Sequence, residues 1–491
     1  MSGDLLGPPA PRLAVAWLIA LIAIVSFGAA GSSRALIPGC SSDRPTVAFH
    51  ASGTAATAPT LVPCRYGTGV RAMEPSFAFD RAGRILYQGW VLRDGLPGGA
   101  PPFPVVVRSA DGVNWKDVSP LGPVTSLDPL IYADERTGRI FSVNFLADAQ
   151  PVGATVSFTD DSGKHWTTSL LGGAGFDGQS IGAGPPVSST PVGYPNLVYY
   201  CTGITPGSSP PATTPLCSKS LDGGITFIPT GRFPWPVTGP DDVFGPWAGN
   251  PVVGPDGTLY VPKRFEGQPE LAVSRNEGRT WKRRLVATNG SAGAATRLAV
   301  DRDGNVYYTW AGDDRMPYVA YSKDRGATWS APIKIAPPGV AEADLPRVAA
   351  FAPGKVAVAY LGSTNAPGHA PYYDYCNVLL SMCTDGPYAG VRWNGYIAEI
   401  DDLFAPDPIV RTATVNDPAA PLFVGGCSAD GACMANLDFI DVHFDSSGIP
   451  WGAFVDDCEW KRGFRPIFTL HTPICGDNVG EGILGKLIPA S

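Results

Sequence analysis

Residues 297–335 read RLAVDRDGNVYYTWAGDDRMPYVAYSKDRGATWSAPIKI, and their pattern indicates the class of fold. Four short runs of alternating apolar side chains are separated by turns rich in Asp and Gly, which is the pattern of antiparallel strands joined by hairpins. Four antiparallel strands in one repeat make a blade of a β-propeller. The stretch therefore predicts one four-stranded unit, and further copies of it would make the protein a propeller.

The first hairpin of this unit recurs along the chain. Each copy has an apolar strand, a turn that contains Asp or Gly, and a second apolar strand, and the copies are mostly about 50 residues apart. The seven copies lie at residues 76–87, 130–141, 181–200, 251–261, 297–310, 348–360 and 439–455.

The turn between the third and fourth strands recurs as well. Its pattern is S/T-x-D/N-x-G-x-x-aromatic, with one copy a residue shorter. The hydroxyl and the carboxylate or amide can bond nearby backbone amides, Gly can adopt a positive φ, and the aromatic side chain can pack onto the sheet. The five copies lie at residues 109–115, 159–166, 220–227, 274–281 and 322–329.

These turns are similar to the Asp boxes (BNR repeats) of the sialidase superfamily, and the chain resembles that family over roughly residues 70–472. The resemblance implies an all-β fold, a six- or seven-bladed β-propeller, and the hairpin count favours seven. It also implies that the Asp boxes lie on the outer rim, away from the site, so that their residues are structural.

Length and composition agree with one large domain of short strands. The 491 residues include 59 glycines and 50 prolines, and only 16% are charged. The net charge of −8 argues against a nucleic-acid partner, which needs a basic surface. We predict a propeller domain at residues 71–475, a lead-in segment at 31–70 with a strand at 46–49, and a C-terminal tail at 476–491.

The first 30 residues predict export. Arg12 precedes an apolar run from Leu13 to Val25 and a small-residue exit near Ala30, as in a secretory signal peptide. The alternative is an uncleaved membrane anchor that leaves the protein facing outside. All ten cysteines follow this segment, and an even number in an exported chain favours disulfides. Proximity in sequence predicts the pairs 40–64, 201–217, 376–383, 427–433 and 458–475.

Residues 362–436 interrupt the sixth unit. The segment is rich in tyrosine and contains four of the cysteines. Long insertions in a compact domain often carry function, but two disulfides can equally pin a loop that has no function. Both interpretations stay open.

The residues that lead into the first strand of each unit form the candidate site, because these strand starts surround one mouth of a propeller's central channel. Carboxylates suited to general acid/base chemistry are Glu74, Asp128 and Asp438. Arg297 and Arg347 can clamp an anionic or hydroxyl-rich ligand, with Asn250 as a further binding residue. The alternative is that these charges neutralise one another around a solvated channel.

The family resemblance implies specific roles for some of these residues. Sialidases use three arginines for the substrate carboxylate, a Tyr–Glu pair as nucleophile and an Asp as acid/base. Arg297 and Arg347 match two of the arginines by their place in a blade. The Phe/Tyr-Arg-Ile-Pro motif that sialidases have early in the chain is absent here. The similar residues FRPI at 464–467 are in a different order and lie in the last unit.

Two functions follow from these observations. The first is a secreted propeller that binds a glycan or an extracellular protein at the mouth. The second is an extracellular exo-glycosidase of the sialidase type, and we leave open whether the chain is an enzyme. We expect a monomer without a resident metal or other cofactor. A structural calcium ion is the exception, since the paired aspartates at 313–314, 401–402 and 456–457 have the oxygen ligands that calcium prefers.

Overall fold

The computed structural model describes residues 39–44, 46–91, 103–120, 126–146, 153–172, 176–203, 217–235, 250–290, 292–368, 388, 390–426, 436, 440–458 and 480–490. All described residues belong to one compact unit of the chain. The predicted signal peptide and the cysteine pairs 376–383 and 427–433 lie outside the described residues, as does Asp438.

The regular elements of the described residues are β-strands. In chain order they are β1 (Val47–His50), β2 (Leu61–Phe79), β3 (Ile85–Val91), β4 (Phe103–Ser109), β5 (Trp115–Asp117), β6 (Leu127–Asp134), β7 (Arg139–Leu146), β8 (Gly153–Thr159), β9 (Thr167–Gly172), β10 (Phe176–Gly184), β11 (Leu197–Gly203), β12 (Cys217–Ser220), β13 (Ile228–Pro229), β14 (Val252–Val253), β15 (Leu259–Phe265), β16 (Gln268–Ser274), β17 (Lys282–Leu285), β18 (Ala292–Val300), β19 (Val306–Ala311), β20 (Pro317–Ser322), β21 (Ile333–Lys334), β22 (Glu342–Ala352), β23 (Lys355–Ser363), β24 (Arg392–Ile400), β25 (Ile409–Thr414), β26 (Phe423–Val424), β27 (Asp441–Phe444), β28 (Pro450–Asp456) and β29 (Gly480–Pro489).

These strands form antiparallel sheets in simple chain order. Four sheets have four strands each, β6–β9, β10–β13, β14–β17 and β18–β21. A further sheet has β22–β25, with β1 added beside β25 and β26 beside β24. The predicted all-β class is therefore confirmed, and the repeated four-stranded sheets are those of a propeller-like fold.

The long strand β2 belongs to two groups of strands. Its first half pairs with β29, with Leu61 opposite Pro489, and its second half pairs with β3, with Phe79 opposite Ile85. The resulting sheet runs β27-β28-β29-β2-β3-β4-β5. One continuous strand thus ties the last hairpin of the chain to the first.

The first strands of successive groups pack on one another. β2 contacts β6, β6 contacts β10, and the series continues through β14, β18, β22 and β27, which contacts β2. Between neighbouring sheets lie clusters of apolar side chains. In one of them Tyr307 and Val319 pack with Val356 and Val358, all four fully buried.

Two segments that the sequence analysis placed outside the repeated units contribute strands to the sheet that begins with β22. The strand expected at 46–49 is β1, and it pairs with β25 at the edge of the sheet that begins with β22. The segment 362–436 contains β24 and β25, the third and fourth strands of that sheet. The repeated turn is missing between these two strands, so the sequence pattern could not identify them.

The repeated turn has the hydrogen bonds that its residue types predict. In the copy at 322–329, the Ser322 hydroxyl accepts a bond from the Gly326 amide at 2.8 Å and donates to Asp324 at 2.7 Å. The Asp324 carboxylate also accepts bonds from the Ala327 and Thr328 amides. Gly326 has a φ of 78°, which only glycine adopts without strain.

Replacing Asp324 is expected to weaken this turn. Asp324→Ala removes the acceptor of several local hydrogen bonds, and because the turn is exposed we expect a loss of about 1 kcal/mol in unfolding free energy, measured by urea denaturation. Asp303→Ala, in an exposed turn of the same sheet, is the control and should have no measurable effect. Equal losses in the two variants would contradict this role.

Two predicted disulfides are present. Cys40 is bonded to Cys64, and Cys201 to Cys217. Cys458 is also disulfide-bonded. Within the described ranges the chain has no helix with the length and apolar character that a membrane span requires.

Candidate functional site

A β-bulge with the same backbone conformation recurs in three first strands, where β2 begins to pair with β3 and near the starts of β6 and β22. Glu74, Asp128 and Leu345 each precede a proline and have positive φ angles of 53°, 50° and 52°. At each position the strand pairing shifts by one residue, in β2, β6 and β22. Such strain persists only where the surroundings hold it. The bulges therefore lie toward one end of the first strands, and we call this end the mouth.

Glu74 and Asp128 connect successive strand starts at the mouth. The Glu74 carboxylate is 1% exposed and accepts hydrogen bonds from the Trp90 indole at 2.8 Å and from the Asp128 amide at 2.9 Å. The Asp128 carboxylate accepts one from the Gly178 amide at 3.3 Å, and the Asp128 carbonyl accepts one from the Gln179 side chain. Both predicted carboxylates thus bond the backbone of the next first strand.

The predicted binding residues lie on several first strands. Arg347 is buried in β22, where its Nε donates to the Ile440 carbonyl at 2.8 Å, just before β27. Arg297 is half-buried on β18, which packs against β22. Asn250 is half-buried and lies two residues before β14. The two arginines are therefore on strands that pack against each other.

Two further carboxylates at the mouth were not identified from the sequence. Glu342 and Asp344 open β22, and their spacing of two places them on one face of the strand. Both are buried, and the Glu342 carboxylate accepts a hydrogen bond from the Tyr388 hydroxyl at 3.3 Å. The sequence signal that could have identified them is a pair of acidic residues, two positions apart, immediately before the Leu345-Pro346 bulge.

Asp344 has an unusual environment. Its Oδ1 accepts a hydrogen bond from the Leu345 amide at 2.8 Å, whereas Oδ2 has no hydrogen-bond partner among the described residues. Oδ2 lies 4.0 Å from Nη1 of Arg315, which is in the turn between β19 and β20. Burial raises the pKa of Asp344 to about 7, although Arg315 opposes the shift, and Glu342 adds to it. Asp344 is therefore a carboxyl group that changes charge near neutral pH.

A histidine–aspartate pair lies at the β27 edge. The His443 ring is 3.2 Å from Asp441, which also accepts a hydrogen bond from the Phe77 amide at 3.1 Å. Burial disfavours protonated His443, but Asp441 outweighs it and raises the pKa of His443. The pair joins β27 to β2, so we interpret it as structural.

The paired aspartates already have partners in the structure. Asp401 pairs with Arg411 and lies 3.3 Å from Lys355, while Asp456 pairs with Arg65 at 2.7 Å. Asp314 accepts a hydrogen bond from the Tyr318 hydroxyl at 2.7 Å. Within the described ranges, no group of three or more His, Cys, Asp or Glu side chains is arranged to hold a metal ion.

Comparison with known proteins gives structural similarities only. Neither a protein-family model nor a curated protein matches the chain. A protein of unknown function from Dyadobacter fermentans is 14% identical, with 93% of this chain and 100% of that chain covered and a TM-score of 0.42. The K499G mutant of NanB sialidase from Streptococcus pneumoniae is 12% identical, with 86% and 70% covered and a TM-score of 0.39.

The chain resembles sialidases. A third similar structure is the α-L-arabinanase of Penicillium chrysogenum, at 13% identity, with 72% of this chain and 94% of that chain covered and a TM-score of 0.37. Sialidases are thus among the solved structures to which the chain is similar. At these identities the similarities concern the fold, and they assign no role to any residue.

Proposed function

We propose that this protein is a secreted, seven-bladed propeller that binds a glycan at the mouth. The blade count is supported by the seven first strands, each of which contacts the next, and by β2, which joins the last group of strands to the first. Secretion is supported by the disulfides. An N-terminal membrane anchor is the alternative.

The hydrogen bonds of Glu74 and Asp128 favour a binding function over glycoside hydrolysis. A general acid or base must exchange a proton with the substrate, but these carboxylates accept bonds from the backbone amides of Asp128 and Gly178. They hold neighbouring blades in register. A glycan is favoured over a protein ligand because the described mouth residues are mainly charged, and such groups recognise hydroxyl groups by directional hydrogen bonds.

Arg297→Ala is the variant that tests glycan binding. Arg297 is half-buried on β18, at the mouth end, so its loss is expected to weaken the affinity for a bound glycan at least tenfold, about 1.4 kcal/mol. The measurement is binding of the secreted chain to a glycan array, followed by titration of the glycan retained. Arg302→Ala is the matched control, because Arg302 is exposed in the turn at the other end of β18 and should leave binding unchanged. If no glycan is bound, or if both variants behave alike, the proposal fails.

Hydrolysis of a glycoside is the second candidate, and Asp344 is the observation that favours it. A buried carboxyl with a pKa near 7, two residues from a second carboxylate, has the properties of a general acid. The test is a screen of aryl glycosides, sialosides included, with the wild type and Asp344→Asn. Turnover that the variant loses would establish hydrolysis, and absence of turnover would leave binding.

A further inference from the structure

The repeated turn at residues 274–281 differs from the other four copies in its charge. It has Asn276 where the others have Asp. The Asn276 side-chain carbonyl accepts hydrogen bonds from the Ser274 hydroxyl at 3.0 Å and from the Thr280 amide at 2.9 Å, and its amide group donates to the Thr280 hydroxyl at 2.8 Å. Asparagine thus makes the bonds of this turn without adding a negative charge.

The turn and the strand that follows it are densely basic. Five of the eleven residues 274–284 are Lys or Arg, in a chain whose net charge is −8. They are Arg275, Arg279, Lys282, Arg283 and Arg284. The acidic residue of this stretch is Glu277, which is 1% exposed and pairs with Lys219. All exposed charges of this stretch are therefore positive.

The strand β17 presents these charges at the edge of the sheet β14–β17. Lys282 and Arg284 are two residues apart, so they lie on one face of the strand, about 7 Å from each other along it. Arg283 points to the other face, where it pairs with Glu270. Within the described ranges, neither Lys282 nor Arg284 is paired with a carboxylate.

The other outer strands lack this excess of positive charge. β9 and β13 contain no charged residue, β5 has Lys116 beside Asp117, and β21 has the single cation Lys334. A charged side chain on an outer strand protects the edge from pairing with another sheet. The three consecutive cations of β17 exceed what that protection requires, because the neighbouring sheets have one cation or none at the same place.

We propose that the exposed cations of residues 275–284, which we call the basic edge, bind a linear anionic polysaccharide. Cations repeated along an extended strand fit a polymer whose anionic groups recur along its length. A membrane fits less well, since membrane-bound segments bury an apolar face, and β17 exposes one large apolar side chain, Leu285. The basic edge is an additional site, independent of the glycan site proposed at the mouth.

Binding at the basic edge is expected to depend strongly on salt. The distance over which exposed charges act falls from about 10 Å at 0.1 M salt to about 3 Å at 1 M. The cations of the basic edge are exposed, so salt screens their attraction for the polymer. The complex should therefore form at 0.1 M salt and dissociate over that range.

The test is binding of the full secreted chain to dextran sulfate, with neutral dextran as the uncharged polymer. The double variant Lys282→Glu and Arg284→Glu should lower the affinity for dextran sulfate at least about tenfold at 0.1 M salt. The matched control is Lys116→Glu with Arg302→Glu, two exposed cations elsewhere on the protein. It makes the same change in net charge and should keep the wild-type affinity.

Asn276→Asp is a second test that preserves the turn. Aspartate is the residue of the other four copies, so the variant should unfold at the same temperature as the wild type. The new carboxylate lies among the cations of the basic edge and competes with the polymer for them. The affinity for dextran sulfate should fall about fivefold, and an unchanged affinity would contradict the proposal.

The remaining outcomes also decide the proposal. No binding of dextran sulfate, equal binding of neutral dextran, or equal losses in the double variant and its control would overturn it. Binding to phosphatidylserine vesicles without binding to dextran sulfate would assign the basic edge to a membrane instead. Arg297→Ala should leave dextran sulfate binding unchanged, since a loss there would place the polymer at the mouth. Near-ultraviolet circular dichroism checks that the variants are folded.

Discussion

Glu277→Ala is expected to lower the free energy of unfolding by about 3–5 kcal/mol. Glu277 is 1% exposed, and its carboxylate accepts hydrogen bonds from three successive backbone amides, those of Val187, Ser188 and Ser189. It also pairs with the buried amine of Lys219 at 2.9 Å. The substitution leaves the Lys219 ammonium group and three amides without their acceptor, and a polar group that loses its partner in a buried site is costly.

Glu266→Ala is the control for this prediction. Glu266 and Glu277 both have positive φ angles, 49° and 60°, so alanine meets the same backbone conformation at both positions. Glu266 is exposed, with 70% of its side chain accessible, and its substitution should change stability by less than about 1 kcal/mol. Urea unfolding gives the comparison. A similar loss in the two variants would show that the buried carboxylate contributes nothing.

The pH dependence offers a second measurement of the same group. Burial opposes ionisation of Glu277, but the hydrogen bonds from Ser189 and Ser188 and the Lys219 ammonium group outweigh it and hold its pKa well below the usual range. The stabilisation is therefore present above the unfolded-state pKa and is lost as the pH falls through the acid range. The difference between wild type and Glu277→Gln should shrink on acidification.

Asp344→Asn is expected to have the opposite effect and to stabilise the protein at pH 8 by about 2–4 kcal/mol. The folded-state pKa of Asp344, about 7, lies above the unfolded value, so the folded protein binds this proton more tightly. Its contribution is most favourable at acidic pH and is lost as the pH rises from about 4 to 7. Asparagine has no charge to bury and avoids that loss.

Urea unfolding at pH 5 and pH 8 measures this effect. The wild type should lose stability between these two conditions relative to Asp344→Asn, whereas the exposed control Asp303→Asn should follow the wild type. Parallel curves for wild type and Asp344→Asn would mean that Asp344 has an ordinary pKa.

Where a local pattern is present, it was sufficient to predict the strands and turns. The hairpin around Asp301 and the turn at 322–329 depend on side chains within a few residues of each other, such as Asp301 bonding the Asp303 amide at 2.9 Å. The proximity of cysteines along the chain also predicted two disulfides correctly. Where the local pattern was absent, between β24 and β25, the strands were not recognised and the segment was predicted as an insertion.

The candidate site was only partly predictable. The positions of Glu74 and Asp128 at the mouth followed from the repeat, but their bonds to the next strand did not, because those depend on how neighbouring sheets pack. Arg315 and Asp344 are in adjacent sheets and meet only when a turn of one contacts the first strand of the other. The pKa of Asp344 depends on burial, which no local pattern specifies.

The repeat of residues 297–335 thus determined the class of fold by itself, since alternation of side chains and Asp/Gly turns act over a few residues. Which charged groups are buried, and which carboxylates bond a neighbouring strand, depends on the tertiary structure. The physical reason is that hydration and electrostatic energies depend on the complete surroundings of a group. Those surroundings come from segments far apart in the chain.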